Sequence, residues 1–411
     1  MTENSISPIL PIVIIGGGLT GKMMALALSY SGFRVTMMAP QPKGQPKRDK
    51  RSTTIHQAGA QMLSALGMTD MLAPHKTPVE RICVAIGPEK GQRSDWLLNW
   101  SSAHMPMAYV IENSQLDAAF DTALAQLPSA QSVTIIDDHV ISYDETSSAG
   151  IIGTNKGQTI SASVIIACDG AGSKMRSLIG LTPTIEKTAQ TALIANLSCE
   201  LPHDNTAFQR FLPTGPIAFM PLPEKEVSMV WSTSDTQAEQ VKNLSHEDAS
   251  LAITNAFGLE LGALRLQQNI TSFALHPQRN RHLSKGRVLL AGDAAHAIHP
   301  LAGMGYNLAL SDAAVLLDIL HDLQKTGLPC DHISLSMRYA RQRQVEIKSL
   351  TFVTSALNKI LSRPSGPLSQ FMAMGMSVMD KLPVKTALRD VAMGGTLSTA
   401  SLLKGIRPSQ H

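Results

Sequence analysis

Three short stretches bring together residue types that could do chemistry. Gly16, Gly18 and Gly21 stand as G-x-G-x-x-G in PIVIIGGGLTGKMM. Asp169 and Gly170 follow the apolar run SVIIAC, with Ser173 and Arg176 just beyond. Asp293 follows Gly292 at the end of RVLLA, and Pro300, Gly303, Gly305 and Asn307 come soon after in HPLAGMGYN. In the first pattern the leading glycine makes a tight turn and the second lets backbone approach a pyrophosphate. The third brings the helix against the strand. A helix starting near Leu19 would add unpaired N–H groups and a partial positive charge suited to phosphate. An acid at the C-terminal end of a buried strand points into the ligand crevice of an open α/β sheet, where it can accept hydrogen bonds from a row of hydroxyls. Gly303 and Gly305 would let a helix N-terminus come close to a flat ring.

Those roles demand particular strands and helices. Pro11 to Ile15 is apolar throughout, as a strand buried on both faces requires. FRVTMMA supplies the next strand of a dinucleotide-binding βαβ unit. At its end, where an acid usually binds the adenosine ribose, the chain reads Met38, Ala39, Pro40. Either the ribose is held by another group, such as backbone or water, or nucleotide affinity is reduced. Arg176 falls in the first turns of a helix, a spacing that can return a cation to the cleft. NLALSDAAVLLDIL reads as a long apolar helix. His296 and His299 could suggest a metal, but no third ligand stands near, so they are read as packing and loop histidines and no metal is expected.

Composition narrows the classes. In 411 residues, 44% are hydrophobic and 16% charged, which suits a globular protein of two or three domains. A formal net charge of +3, without long basic runs, argues against nucleic acid as a partner. Cys83, Cys168, Cys199 and Cys330 are scattered, so neither a disulfide framework nor a zinc site is indicated. The N-terminus lacks the basic segment of a signal peptide, and no stretch is long and apolar enough to span a bilayer. The expected location is cytoplasmic, with docking at the inner membrane face left open.

Together the three motifs resemble those of the FAD-dependent aromatic hydroxylases, the class A flavoprotein monooxygenases. GGGLTG, DGAGSKMR and GDAAHAIHPLAGMGYN carry that likeness. KRSTTIHQAGAQMLSALGM, YVIENSQLDAAF, QRFLPTGPIAFMPLP and MDKLPVKTALRDVAMGG narrow it to the ubiquinone-biosynthesis hydroxylase branch. The resemblance implies an α/β fold of the p-hydroxybenzoate hydroxylase type. Its Rossmann-like FAD-binding domain would take residues 1–76, 107–184 and 281–330. An inserted β-sheet substrate domain would take 77–106 and 185–280, and a C-terminal helical region 331–411.

Residue roles follow from the same resemblance. Gly16, Gly18 and Gly21 would hold the FAD pyrophosphate, and Arg51 would lie along the cofactor. Asp169 would shape the nucleotide cleft, and Asp293 would bind the ribityl chain. Pro300, Gly303, Gly305 and Asn307 would cup the isoalloxazine ring. Met304 stands where the family usually has Gln, and Asn113 where it often has Arg. The implied reaction hydroxylates the ring of a polyprenyl phenol through a flavin C4a-hydroperoxide, with O2 and NAD(P)H or another electron donor. No protein side chain need be catalytic, because the flavin supplies the chemistry. A flavin hydroxylase of a small soluble aromatic and a non-catalytic flavin-binding scaffold are the alternatives.

The substrate wall is expected from Phe208 to Thr233, read as two strands joined by a polar turn at Glu224–Glu226. Phe211, Pro213, Phe219 and Trp231 would line it, although ordinary sheet core fits the same residues equally well. Leu350, Val353, Leu357, Ile360 and Leu361 recur at helical spacing, and Phe371, Met372, Met376 and Met379 form a second stripe. Core is the plainer reading of both. A surface for a bilayer or partner enzymes is the sharper one, with Lys381, Lys385, Arg389, Lys404 and Arg407 giving a basic bias; a homo-oligomer is separately left open.

Overall fold

The computed structural model describes residues 10–40, 51–87, 96, 98–101, 104–298, 303–361 and 399–407. Its organising element is a six-stranded sheet. The strands run in the order Ser284–Lys285, Val288–Leu290, Val164–Ala167, Ile12–Ile15, Val35–Met38 and Thr134–Ile136. All neighbours are parallel except the edge pair Ser284–Lys285 and Val288–Leu290. Every residue of the strands Ile12–Ile15, Val35–Met38 and Val164–Ala167 is buried, which explains their unbroken apolar sequences. Helix Leu19–Tyr30 packs on this sheet, and the long helix Met304–Lys325 packs against it in turn.

Register fixes what happens at the strand tips. Ile15 pairs with Ala167, and Ala167 with Leu290. Three neighbouring strands therefore end level, and the Gly16, Asp169 and Asp293 turns all leave the same edge. Stretches about 120 residues or more apart in sequence are thus delivered to one crevice.

A second, larger sheet stands over that crevice. It orders Leu264–Leu266, Gln190–Cys199, Glu226–Ser234, Gly215–Pro221, Thr206–Leu212, Arg81–Ile86 and Leu98–Ser101, with Thr271–Ala274 also paired to Gln190–Cys199. Helices Asp235–Lys242 and His246–Phe257 cover one face. The core between them holds Leu193, Phe208, Phe219, Met229, Trp231 and Phe257. The stretch expected to form two strands forms three. Pro213 and Thr214 make a tight hairpin turn, closed where Leu212 pairs with Gly215. Gly215 has φ +138°, and a Cβ there would meet the Ser232 carbonyl oxygen at 2.2 Å, so the turn depends on glycine.

Helix Ser334–Leu361 lies along helix Met304–Lys325, and Ile347 and Leu350 join the main core. The stripe from Phe371 to Met379 lies outside the described residues, as do Lys381, Lys385 and Arg389. Arg407 is tied to the body: it donates to the Ala65 carbonyl and sits over the Tyr30 ring. Among the described residues, no helix is long and apolar enough to cross a membrane. The four cysteines are free thiols.

Candidate active site

The first glycine turn has the shape a diphosphate needs. Gly16 adopts φ +113°, and a Cβ on it would lie 2.5 Å from the Cys168 carbonyl oxygen. A Cβ on Gly21 would lie 1.9 Å from the Gly16 oxygen, so the helix can start against the strand only with glycine there. Around Gly18 nothing would meet a Cβ, and that residue is exposed. Helix Leu19–Tyr30 has no side-chain cap and no acid in its first turn, which leaves its N–H groups and positive end open. Ala39 approaches Gly17 so closely that a Cβ on Gly17 would lie 2.5 Å from its own. Ala39 thus stands against the glycine turn where the usual ribose acid would be.

The Asp293 turn abuts this one. Gly292, at φ +57°, faces Thr20, whose side chain a Cβ would meet at 2.8 Å. Asp293 lies in a cleft of about 560 Å³ and remains open to solvent through it. The protein packed around it raises its carboxyl above the ordinary range, against the opposing pull of His296 and Arg51. Arg51 lines the same cleft and lies 5.2 Å from the centre of the Phe273 ring.

The middle motif braces the site. Asp169 accepts from the Ser173 hydroxyl at 2.5 Å and the Met175 N–H at 3.0 Å, so its carboxylate orders its own loop. Arg176 is buried and bridges two turns, donating to the Ala171 carbonyl at 2.6 Å and the Ala294 carbonyl at 2.9 Å. Arg176 does not line the cleft; it is a buried clamp between two loops beside it. Asn280 reinforces the clamp from below, donating to the carbonyls of Ala294 and Ala295.

Gly303 and Gly305 line the cleft at the start of helix Met304–Lys325. Gly303 has φ +63° and presses on Thr54, while open space surrounds Gly305. Asn307 departs from its expected role. Its amide accepts from the His56 N–H at 2.9 Å and donates to the Thr54 and Gly303 carbonyls at 2.8 and 2.9 Å. With both ends committed to backbone and no place in the cleft lining, it fastens helix to strand rather than cupping a ring. Pro300 and His299 lie outside the described residues. His296 is buried against Asp312, as a packing histidine should be, and among the described residues no group of His, Cys, Asp or Glu could hold a metal.

The substrate wall requires the clearest correction. Phe219 and Trp231 point into the core beneath the two covering helices, and Phe219 stacks edge-on against Phe257 at 4.6 Å. Pro213 is exposed in the hairpin turn, and Phe211 is buried without lining the cleft. Two of the expected strands do contribute to the wall, but through the alternate residues Ala218, Met220, Ser228 and Val230, and the neighbouring strand Gln190–Cys199 adds Ala192 and Ile194. Phe219 and Trp231 fill the core face, while Ala192, Ala218 and Ser228 leave room on the cleft face. Phe273, Leu275 and Pro277 add apolar surface, and Asn113, His276 and Gln278 add polar atoms. Asn113 accepts from the Thr53 hydroxyl at 2.6 Å.

A glycine cradle open at Gly18, an acid aimed into a cleft beside it, and a glycine-started helix opposite together fit a flavin dinucleotide. Residues 10–327 match the FAD binding domain family. The chain belongs to that family. It uses FAD. Among curated relatives, it is 29% identical to a ubiquinone hydroxylase, UbiL, of Rhodospirillum rubrum, over 93% of this chain and 89% of that protein. It is 28% identical to the 3-demethoxyubiquinol 3-hydroxylase of Escherichia coli, over 82% of this chain and 85% of that one. Among solved structures, p-nitrophenol 4-monooxygenase PnpA from Pseudomonas putida superposes with a TM-score of 0.76 at 18% identity, over 94% of this chain and 99% of that chain. Klebsiella pneumoniae HpxO, solved with FAD and uric acid, superposes at 0.72 and 16% identity, over 95% and 98%. These likenesses show the p-hydroxybenzoate hydroxylase-like fold anticipated from the motifs.

Proposed function

We propose that this protein is an FAD-dependent monooxygenase that hydroxylates the aromatic ring of a polyprenyl phenol in ubiquinone biosynthesis. The observation that carries the reading is the apolar wall of Ala192, Ile194, Ala218, Met220 and Val230, which faces Asp293 and Gly305 across one cleft. The two relatives named for ubiquinone chemistry match most of the chain and support the same reading. Residues 1–76, 107–184 and 281–330 are assigned to the cofactor domain, 77–106 and 185–280 to the substrate domain, and 331–411 to a C-terminal region that includes helix Ser334–Leu361.

Reduced flavin, when bound, supplies the oxygen activation that ring hydroxylation needs. The chain's own residues bind, orient and exclude water. The N-terminus of helix Leu19–Tyr30 offers N–H groups to the pyrophosphate beside Gly18. Asp293 would accept hydrogen bonds from the ribityl hydroxyls, with Arg51 balancing its charge. The start of helix Met304–Lys325, uncapped and free of acids, turns its positive end to the ring. The cleft's apolar wall keeps water from the reacting carbon and accepts a greasy substrate. A substrate carrying a polyprenyl tail resides in lipid, so the protein works at a membrane surface.

Purified protein loaded with FAD tests the assignment. A short-chain prenylphenol should stimulate NAD(P)H oxidation and yield a product heavier by one oxygen. Stimulation by simple phenols but not by the prenylphenol would assign the enzyme to small aromatics instead. Bound flavin that cannot be reduced and reoxidised would mark a scaffold.

A further inference from the structure

The turn that presents Asp293 is held from behind by buried charge. Asp312, within helix Met304–Lys325, has no exposed surface. Its Oδ2 accepts from the Gly292 N–H at 2.8 Å and lies 2.8 Å from His296 Nε2. One carboxylate thus fastens both ends of residues 292–296, and Asp293 projects between them. Its Oδ1 accepts from Arg343 Nε at 2.6 Å. Arg343, also without exposed surface, comes from helix Ser334–Leu361, donates to the Leu308 carbonyl at 3.1 Å and pairs with Glu346. From the same helix, Tyr339 donates its hydroxyl to the Leu290 carbonyl at 2.8 Å, at the end of the strand that leads into the turn.

A carboxylate at this depth needs a compensating charge, and a guanidinium at this depth needs the carboxylate. Together they make a rigid brace from a second helix to the cofactor turn. That helix lies beyond residues 10–327, the part matched by the FAD-binding family. We infer that Asp312 and Arg343 are positioning residues for flavin, and that helix Ser334–Leu361 completes the cofactor site through them without touching the ligand. The inference rests on FAD being the cofactor.

The test is the FAD dissociation constant, read by quenching of flavin fluorescence at 10 °C, on variants shown to be folded by circular dichroism. Asp312→Asn and Arg343→Met should each weaken FAD by about tenfold, the usual size of effect when the partner behind a ligand-holding group is removed. Arg343→Lys, which keeps the charge but loses the fork, should fall between them and the parent. If Arg343→Met does not fold, Asp312→Asn and Arg343→Lys carry the comparison. Arg338→Met breaks a partly exposed pair with Asp322 between the same two helices and should lower the melting temperature without moving FAD affinity. The flavin reduction potential should also shift in Asp312→Asn and stay fixed in Arg338→Met. Folded Asp312 and Arg343 variants that bind FAD within twofold of the parent, with an unchanged potential, would overturn the inference. A parent protein that binds no FAD at all would instead overturn the cofactor reading.

Discussion

Gly21 packs against Gly16 so closely that a Cβ on it would lie 1.9 Å from the Gly16 carbonyl oxygen. Three residues earlier in the same turn, Gly18 has nothing within 4 Å of the place its Cβ would take. One glycine is needed by the fold and the other by the ligand. Gly21→Ala should destabilise the protein by about 1–3 kcal/mol, the usual range for overpacking, before any question of cofactor arises. Gly18→Leu, at an ordinary backbone conformation, should leave the melting temperature of the FAD-free protein nearly unchanged while abolishing tight FAD binding. Thermal unfolding with and without FAD measures both. Equal loss of stability in the two variants would contradict the division.

Asp293 is the acid placed to grip the ribityl chain. Hydrogen bonds to a charged group are worth about 1.5–3 kcal/mol, so Asp293→Ala should weaken FAD by roughly ten- to a hundredfold. Asp293→Asn keeps the shape but loses the charge and should fall between. Arg51→Met, which removes one of the cations that hold the Asp293 carboxyl down, should weaken FAD most at mildly acidic pH. Equilibrium titration across pH checks all three. FAD affinity indifferent to Asp293 would remove the acid from the site.

Neighbouring residues Ala218 and Phe219 face opposite sides of one strand, the first into the cleft and the second into the core. Ala218→Phe should raise KM for a prenylphenol or abolish its turnover, while FAD affinity and the melting temperature hold. Phe219→Ala should cost about 3–5 kcal/mol of stability by opening a cavity. Steady-state kinetics and urea unfolding on the two variants separate the faces. A Phe219 variant that keeps stability and loses substrate would restore the face first expected from the sequence.

The contrast between those two residues shows what a sequence can tell and what it cannot. Ile12–Ile15 and Val164–Ala167 are buried on both sides, so their all-apolar runs, followed by glycine or acid, announced both the sheet and the ligand edge. In Gly215–Pro221 both faces are apolar too, and nothing local says which is core. The large aromatics of these strands drew attention, yet on them the cleft face carries Ala218, Met220, Ser228 and Val230 instead. Asn307 was conspicuous in a glycine loop, but its backbone partners His56 and Thr54 lie some 250 residues away, beyond local pattern. Asp312 left a faint signal as a lone acid in an apolar run. Its partner Arg343, in a helix rich in charges, left none.

Asp312, buried, and Asp293, in the open cleft, should respond to acid in opposite directions. Burial alone would raise the Asp312 carboxyl, but His296, Arg343 and the Gly292 N–H outweigh it and hold it below its ordinary value of 3.8. The unfolded chain therefore binds the Asp312 proton more readily. Its stabilising contribution is complete above the ordinary carboxylate range and is lost as pH falls through that range toward the depressed folded value. Asp293 is raised, so in the FAD-free protein the folded state takes up the proton first. Its contribution grows as pH falls through the raised value and levels off below 3.8. Asp312→Asn should cost about 3–5 kcal/mol at neutral pH by taking from buried Arg343 one of its two carboxylate partners and leaving Glu346 alone to balance it. It should also flatten the loss of stability between about pH 5 and pH 3, a window set around the ordinary carboxylate value. Asp293→Asn should steepen that same loss. Urea midpoints of the FAD-free proteins across this range give the slopes. Parallel curves for the two variants and the parent would mean that neither carboxyl is perturbed by its surroundings.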